Sequence, residues 1–177
     1  MEDEKLFSHI FFPESGKPNR VPWGRGNGWV AVTLTEILLH CDDEQLLAEA
    51  RELLRAYAEG IARNQDKCGM WHQVLNRNDS YIETSCSAMF VLSLARGINN
   101  GWLDECYSEV VKNAWDAILN NVVDKEGNVY GVCLGSGCHE QAEYYFNIPT
   151  FMNDDHGTGI ILAAGCEVSR LEEAKKH

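Results

Sequence analysis

The chain has 177 residues, 45% of them hydrophobic and 24% charged, which is typical of one globular domain or part of a larger one. Its formal net charge of −12 argues against nucleic-acid binding, which depends on Lys and Arg neutralising phosphates. No apolar run approaches the roughly 20 residues of a membrane span, and the acidic start lacks the basic flank of a signal peptide, so we expect a cytoplasmic protein without a membrane partner.

The first informative segment is the run WGRGNGW at residues 23–29. Indole faces stack on sugar rings, and the guanidinium of Arg25 suits a carboxylate. The three glycines allow close backbone approach and positive φ. Two core tryptophans at a loop-to-helix turn are the alternative, but a buried charge needs a partner, and Arg25 therefore favours a ligand site formed with Trp23 and Trp29.

Helical apolar spacing recurs along the chain in two forms. Segments that are apolar all round are typical of buried inner helices, and amphipathic segments are typical of half-exposed outer helices. Inner helices are predicted at 27–39, 83–95 and 155–168, and outer helices at 43–64 and 103–123. Asp43 is expected to cap the first outer helix, Asp104 lies in the opening turn of the second, and Gly97 and Asn99 are expected to end the second inner helix.

A repeat of 58 residues links these helices. Asp66 and Gly69 in one loop recur as Asp124 and Gly127 in the next, and each loop leads into a short β-like run, at 70–75 and at 128–133. Such a unit is typical of an α/α toroid, in which each hairpin buries its inner helix against its neighbours. The sequence therefore predicts one all-α domain over residues 1–177, and its three inner and two clear outer helices are too few to close such a ring.

The seven cysteines form no CxxC pair and match no zinc signature, even at Cys133 and Cys138 with His139 following. We expect reduced thiols, no metal and no cofactor. The run DDH at 154–156 could ligate a cation, but capping the third inner helix is the more usual role.

Five motifs in order resemble the unsaturated glucuronyl and rhamnogalacturonyl hydrolases of glycoside hydrolase families 88 and 105, the family 105 branch most closely. The resemblance runs from about Leu6 to Val168. Its motifs are WGRGNGW (23–29), GMWHQVLN (69–76), YIETSCSAMF (81–90), GNVYGVCLGSG (127–137) and NDDHGTGIILAAGCEV (153–168).

The resemblance implies a six-hairpin α/α barrel with a pocket at one end. Such enzymes act on the Δ4,5-unsaturated uronic acid that polysaccharide lyases leave at a non-reducing end. An aspartic acid protonates C4, water adds at C5, and the hemiketal collapses, without a metal. By position, His9 matches the family's pocket histidine. Trp23, Arg25 and Trp29 match its sugar-contacting motif, with Arg25 on the carboxylate and the tryptophans as walls.

The resemblance also implies that the family's general-acid aspartate, and a second pocket aspartate, lie upstream of His9. The chain therefore resembles a C-terminal half. Within it, Glu83 and Asp155 are the candidate acids, since each stands at the start of an inner helix, but capping and supporting hydrogen bonds suit both residues as well.

Other residues near the expected pocket are ambiguous. His72 is either a pocket-lining residue or a hydrogen-bonded structural histidine. Tyr144 and Tyr145 lie in a long loop that could border the pocket, whereas His40 ends a helix, where a cation complements the dipole, and receives no binding role.

Two functions remain open from the sequence. One is a hydrolase of unsaturated uronyl oligosaccharides, represented by half of its fold. The other is a non-catalytic half-barrel that binds acidic oligosaccharide or self-associates. The expected partners are accordingly an acidic oligosaccharide and either a second copy or the missing N-terminal half.

Overall fold

Three inner helices stand side by side, and two outer helices pack against them, so that the chain forms an arc of an α/α toroid. The computed structural model describes residues 1–174, and no helix in that range is long and apolar enough to cross a membrane. The inner helices are α1 (Gly24–His40), α3 (Thr84–Asn99) and α6 (Asp155–Ala174), the outer helices are α2 (Glu44–Arg63) and α4 (Ser108–Asn121), and a short α5 (Ala142–Phe146) lies in the last loop.

The central helix α3 is buried along almost its whole length, with α1 on one side and α6 on the other. Glycines let α1 approach it closely. A Cβ on Gly28 would lie 2.5 Å from Sδ of Met89, and one on Gly24 would lie 2.8 Å from Sγ of Cys86. These pairs run in the same order along both helices, so α1 and α3 are parallel.

The predicted role of these glycines is therefore partly wrong. Helix α1 begins at Gly24, three residues earlier than expected, and places Gly24, Gly26 and Gly28 in helical backbone without positive φ. Close approach to α3 is what requires a missing Cβ at Gly24 and Gly28, because the side chains of Cys86 and Met89 on α3 occupy that space.

A cluster of ionic side chains joins the three inner helices near their C-terminal ends. Arg96 of α3 donates to Glu36 of α1 at 2.5 Å and to Glu167 of α6 at 3.1 Å. Arg170 donates to the other carboxylate oxygen of Glu167 at 2.9 Å. Because Arg96 is mostly buried and pairs on both sides, it fixes the spacing of all three helices at this end.

The predicted start of the first outer helix is confirmed. Asp43 caps α2 by accepting from the backbone N–H groups of Gln45 and Leu46, both at 3.0 Å. Asp104 caps a short 3-10 turn, Glu105–Tyr107, that leads into α4. Helix α3 ends at Asn99, as expected, but it continues through Gly97, so the expectation for Gly97 is wrong. A Cβ on Gly97 would lie 2.6 Å from Leu103, and the packing there therefore requires glycine.

The 58-residue repeat is confirmed as a repeat of backbone geometry. Gly69 and Gly127 have φ of 90° and 84°, and each donates its N–H to the carbonyl of the aspartate three residues earlier. Each aspartate N–H in turn bonds the carbonyl four residues ahead, Asp66 to Met70 and Asp124 to Asn128. The two loops are thus equivalent turns between an outer and an inner helix.

Strands are few and very short. Residues 70–75 form isolated bridges instead of the expected β-like run. Residues 128–133 contribute an isolated bridge between Val129 and Val123 and the strand β3 (Val132–Cys133), which pairs antiparallel with β4 (Thr150–Phe151). A hairpin of β1 (Phe11–Phe12) and β2 (Lys17–Pro18) was not predicted. Two-residue strands carry too little alternation for a sequence pattern to indicate them.

Candidate functional site

All of the predicted site residues except Trp29 lie at the end of the fold where the inner helices begin. The segments that precede α1, α3 and α6 form a second apolar cluster, separate from the main core, that includes Val21, Trp23, Cys133 and Tyr145. Helix N-termini carry a partial positive charge, and α1 has no acidic residue in its first turn to neutralise it. This end of the fold is therefore suited to an anionic group.

An aromatic group forms one side of this end. The ring of His9 lies 4.5 Å from that of Trp23 and 5.5 Å from that of Tyr145. Trp23 is 7% exposed, and the guanidinium carbon of Arg25 lies 5.3 Å from its ring centre. Burial lowers the pKa of His9, which favours its neutral ring.

Arg25 is buried and holds a loop. Its guanidinium donates to the carbonyls of Cys133 at 2.6 Å and Leu134 at 2.7 Å, and more weakly to the hydroxyl of Ser85 at 3.4 Å. The first turn of α1 is thereby tied to β3. Pairing of Arg25 with a ligand carboxylate stays a prediction, and it would use donors beyond these two carbonyl bonds or replace them.

Glu83 caps α3. Its carboxylate accepts from the backbone N–H groups of Ser85, Cys86 and Cys133 at 2.7–3.1 Å, and from the hydroxyl of Ser85 at 2.9 Å. All of these partners are donors: Oε1 joins the start of α3 to β3 through Cys133, and Oε2 accepts from the first turn of α3 itself. The capping role that the sequence left open for Glu83 is the one this geometry supports.

Asp155 and its neighbours begin α6. Asp155 is exposed in the first helical turn, while Asp154 accepts from the backbone N–H of His156 at 3.0 Å and contacts its ring at 2.7 Å. Burial opposes ionisation of Asp154, but the bonds from His156 hold the pKa of Asp154 below its ordinary value. The run at 154–156 thus starts a helix, and no group of three or more potential metal ligands occurs among residues 1–174.

His72 has both ring nitrogens engaged. Nδ1 lies 2.5 Å from the carbonyl of Ser80, and Nε2 lies 3.3 Å from a carboxylate oxygen of Asp66. The residue is 7% exposed. These contacts support the structural alternative for His72, which ties the repeat turn to the loop before α3.

Trp29 lies away from the buried part of the site. It is 45% exposed on α1, one helical turn after Arg25. The structure therefore brings His9, Trp23 and Arg25 together and leaves Trp29 on an open surface.

Three buried residues of this site were not assigned by the sequence. Tyr145 is fully buried against His9 and Trp23, although its loop was expected only to border the pocket. Gln73 is fully buried, and its Oε1, like Nε1 of Trp23, has no hydrogen-bond partner within the described part of the chain. Burial raises the pKa of Cys133 to about 12, with a further contribution from the charge of Glu83.

Comparison with known proteins gives a consistent set of similarities. The model of Glycosyl Hydrolase Family 88 matches residues 3–172. The chain is 31% identical over 156 residues to the unsaturated rhamnogalacturonyl hydrolase YesR of Bacillus subtilis, covering 85% of this chain and 42% of YesR. It is also 31% identical over 174 residues to protein Atu3128 of Agrobacterium fabrum, covering 88% of this chain and 74% of that protein.

The fold is similar to that of a possible member of the GH105 family from Klebsiella pneumoniae. The TM-score is 0.89 over 97% of this chain and 46% of that one, at 22% sequence identity. This likeness concerns the fold alone. The chain thus spans less than half the length of both YesR and the Klebsiella protein.

Proposed function

The chain belongs to glycosyl hydrolase family 88, and from this membership we propose that it is a glycoside hydrolase of unsaturated uronyl oligosaccharides. The substrate would carry a Δ4,5-unsaturated uronic acid at its non-reducing end, as lyases leave it. We propose pectin or rhamnogalacturonan as the source, because YesR is named as an unsaturated rhamnogalacturonyl hydrolase. A cytoplasmic location is part of the same proposal, and the seven free thiols, all within residues 1–174, support it.

The observation that supports this proposal best is the grouping of His9, Trp23 and Arg25 at the start of α1. A uronate ring offers an apolar face to an indole and a carboxylate to a guanidinium. We assign the carboxylate to Arg25, the ring faces to Trp23 and Trp29, and a hydrogen bond to His9. The unneutralised N-terminus of α1 favours the same negative charge.

The proposed reaction adds water across the vinyl ether instead of attacking the anomeric carbon. An acid gives a proton to C4, water adds at C5 and loses its proton, and the hemiketal collapses to release the next sugar. Since Glu83 is engaged in capping, Asp155 is the remaining candidate acid named from the sequence. If the family's upstream aspartate is the true acid, the chain by itself would be slower by about 10²–10⁴-fold.

The test is to follow the loss of ultraviolet absorbance of the double bond in an unsaturated uronyl disaccharide mixed with the purified chain. We expect slow loss of absorbance, and His9→Gln should make it about tenfold slower, the value of one lost hydrogen bond. His40→Gln is the matched control, because His40 lies exposed at the far end of α1, and it should leave the rate unchanged. A folded chain that neither consumes nor binds the disaccharide would contradict the proposal.

A second candidate function is a non-catalytic half-barrel that associates with itself or with a complementary half. Large apolar side chains on the inner helices favour it: Leu162 is 68% exposed, Trp29 45% and Leu39 41%. Exposed apolar surface of this kind marks interaction sites when it is contiguous. The activity assay and sedimentation together separate the two functions. The first function predicts consumption of the double bond, whereas the second predicts association without consumption.

A further inference from the structure

The hydroxyl of Tyr145 is the polar centre of the aromatic group. It lies 2.8 Å from Nδ1 of His9, 3.2 Å from Nδ2 of Asn19 and 3.4 Å from the carbonyl oxygen of His139. The Tyr145 side chain is fully buried, and burial raises the pKa of Tyr145, so the phenol keeps its proton at neutral pH. The phenol has one proton to donate, so the hydrogen-bonding role of each of these three neighbours has to be assigned.

The orientation of Asn19 is fixed by the backbone. Its Oδ1 accepts from the N–H groups of Ile10 at 3.3 Å and Val21 at 3.1 Å. The other end of the amide is then an NH₂ group, which can only donate, and it donates to Tyr145. One lone pair of the tyrosine oxygen is used in this way.

The tyrosine proton then goes to the nearer of two acceptors. Nδ1 of His9 is 0.6 Å closer than the carbonyl of His139, and O–H donors favour separations near 2.8 Å. A neutral imidazole that accepts at Nδ1 carries its own proton on Nε2. The ring of His9 also packs on Trp23, which limits its rotation.

We propose that Tyr145 is a positioning residue that holds His9 in the Nε2-protonated tautomer, so that His9 offers a hydrogen-bond donor to a ligand at the start of α1. Tyr145 acts through His9 and does not touch the ligand itself. The consequence for ligand binding rests on the function proposed above, whereas the assignment of the tautomer does not. A donor at Nε2 suits an oxygen of a uronate carboxylate or hydroxyl.

The experiment is to measure the ¹⁵N shifts of the His9 ring nitrogens in the full chain by NMR, at a pH where the ring is neutral. The His9 signals are assigned from their absence in His9→Gln. We expect wild-type His9 to carry its proton on Nε2, and Tyr145→Phe to yield a mixture of both tautomers. An Nδ1-protonated ring in the wild type, or an unchanged tautomer in Tyr145→Phe, would overturn the proposal. If Tyr145→Phe does not fold, the wild-type spectrum alone still decides which tautomer His9 adopts.

Tyr144→Phe is the matched control. The ring of Tyr144 stacks on His139, and its hydroxyl accepts from the N–H of Gly137 at 3.2 Å. The variant Tyr144→Phe should therefore leave the tautomer of His9 unchanged. Titration with an unsaturated uronyl disaccharide should give about tenfold weaker binding for Tyr145→Phe, the value of one lost hydrogen bond. Equal affinities would also overturn the role of Tyr145, whereas failure of the wild type to bind would count against the proposed function and leave the NMR result to decide the tautomer.

Discussion

The guanidinium of Arg25 joins two parts of the chain that are more than 100 residues apart. Its bonds to the carbonyls of Cys133 and Leu134 give the loop at β3 its position relative to α1. The same side chain is the proposed partner of a uronate carboxylate. A single substitution can therefore separate a structural role from a binding role, provided that stability and affinity are both measured.

Arg25→Lys should lower the free energy of unfolding. A lysine keeps the charge but cannot reach two carbonyls with a planar fork, so we expect a loss of about 1–3 kcal/mol, the range for hydrogen bonds to charged groups. Urea denaturation measures it. Arg20→Lys, at an exposed position, is the matched control and should change stability by less than about 0.5 kcal/mol. Equal stability of the two variants would mean that the carbonyl bonds contribute little.

Arg25→Lys should also weaken uronate binding, by about 1–3 kcal/mol. Titration of an unsaturated uronyl disaccharide into wild type and variant, at a temperature where both are folded, gives the affinities. A variant that is less stable but binds with wild-type affinity would show that Arg25 only holds the loop.

Asp66→Asn should destabilise the chain in a pH-dependent manner. The pKa of Asp66 is lowered to about 2, chiefly by the hydrogen bond from the N–H of Cys68; burial opposes this, and the Cys68 thiol and His72 contribute to the lowering. Because the folded-state pKa lies below the unfolded one, the ionised carboxylate stabilises the fold fully above about pH 4 and loses that effect as the pH falls towards 2. The urea midpoints of the wild type and Asp66→Asn should thus differ most at pH 5 and converge at lower pH. A difference that stays constant with pH would contradict this assignment.

Individual site residues were predictable to different degrees. His9, Trp23 and Arg25 lie in motifs, and their side-chain chemistry indicated a ligand site. The bonds of Arg25 to Cys133 and Leu134 could not be predicted, because a sequence does not tell which distant carbonyls approach a guanidinium. Tyr145 was missed as a partner of His9 for the same reason, since 136 residues separate them.

At the scale of elements, the packing of α1 against α3 depends on a missing side chain. The Cβ of an alanine at position 28 would lie 2.9 Å from Cβ of Met89, which cannot move without the helix backbone. Gly28 is thus a contact residue in the interior of a helix, a position where glycine is otherwise unfavourable.

Gly28→Ala should destabilise the chain by about 1–3 kcal/mol, as overpacking does, despite the better helix propensity of alanine. Gly159→Ala is the matched control, because Gly159 lies in α6 with open space around its Cβ position. The free energy of unfolding of Gly159→Ala should rise by up to about 1 kcal/mol. Thermal unfolding followed by circular dichroism compares the two, and a stabilised Gly28→Ala would show that α1 and α3 can separate at little cost.

The helices were the most predictable elements. Their apolar periodicity extends over many residues, and Asp43 stands where a capping residue is needed. The start of α1 was placed three residues late because glycines usually indicate a loop, whereas here Gly24 and Gly28 serve helix packing. Strands β1 to β4 and helix α5 are only two to five residues long, and such short segments cannot carry a pattern.

At the scale of the whole molecule, the arc of three inner helices leaves α6 with one uncovered side. Leu162 on that side is 68% exposed, more than any other large apolar residue among those described. A closed ring would cover such a surface, and within the described residues no helix does so. Association with a second copy or with a complementary half stays our prediction.

Leu162→Gln should reduce self-association. The wild-type chain is expected to sediment partly as a species heavier than a monomer, since the inner-helix surface is apolar, and the variant should shift towards monomer. Leu119→Gln is the matched control: Leu119 is 46% exposed but lies on the outer helix α4, away from the open side. A monomeric wild type at high concentration would contradict the prediction.

The burial of α3 between α1 and α6 has a consequence for biosynthesis. Helix α1 precedes α3 on the ribosome, but α6 follows it by more than 50 residues. A nascent chain that ends near residue 150 has one side of its most apolar helix uncovered, and Arg96 has met Glu36 but not yet Glu167. The order of synthesis therefore leaves α3 open to aggregation from the emergence of residue 99 until α6 has folded against it.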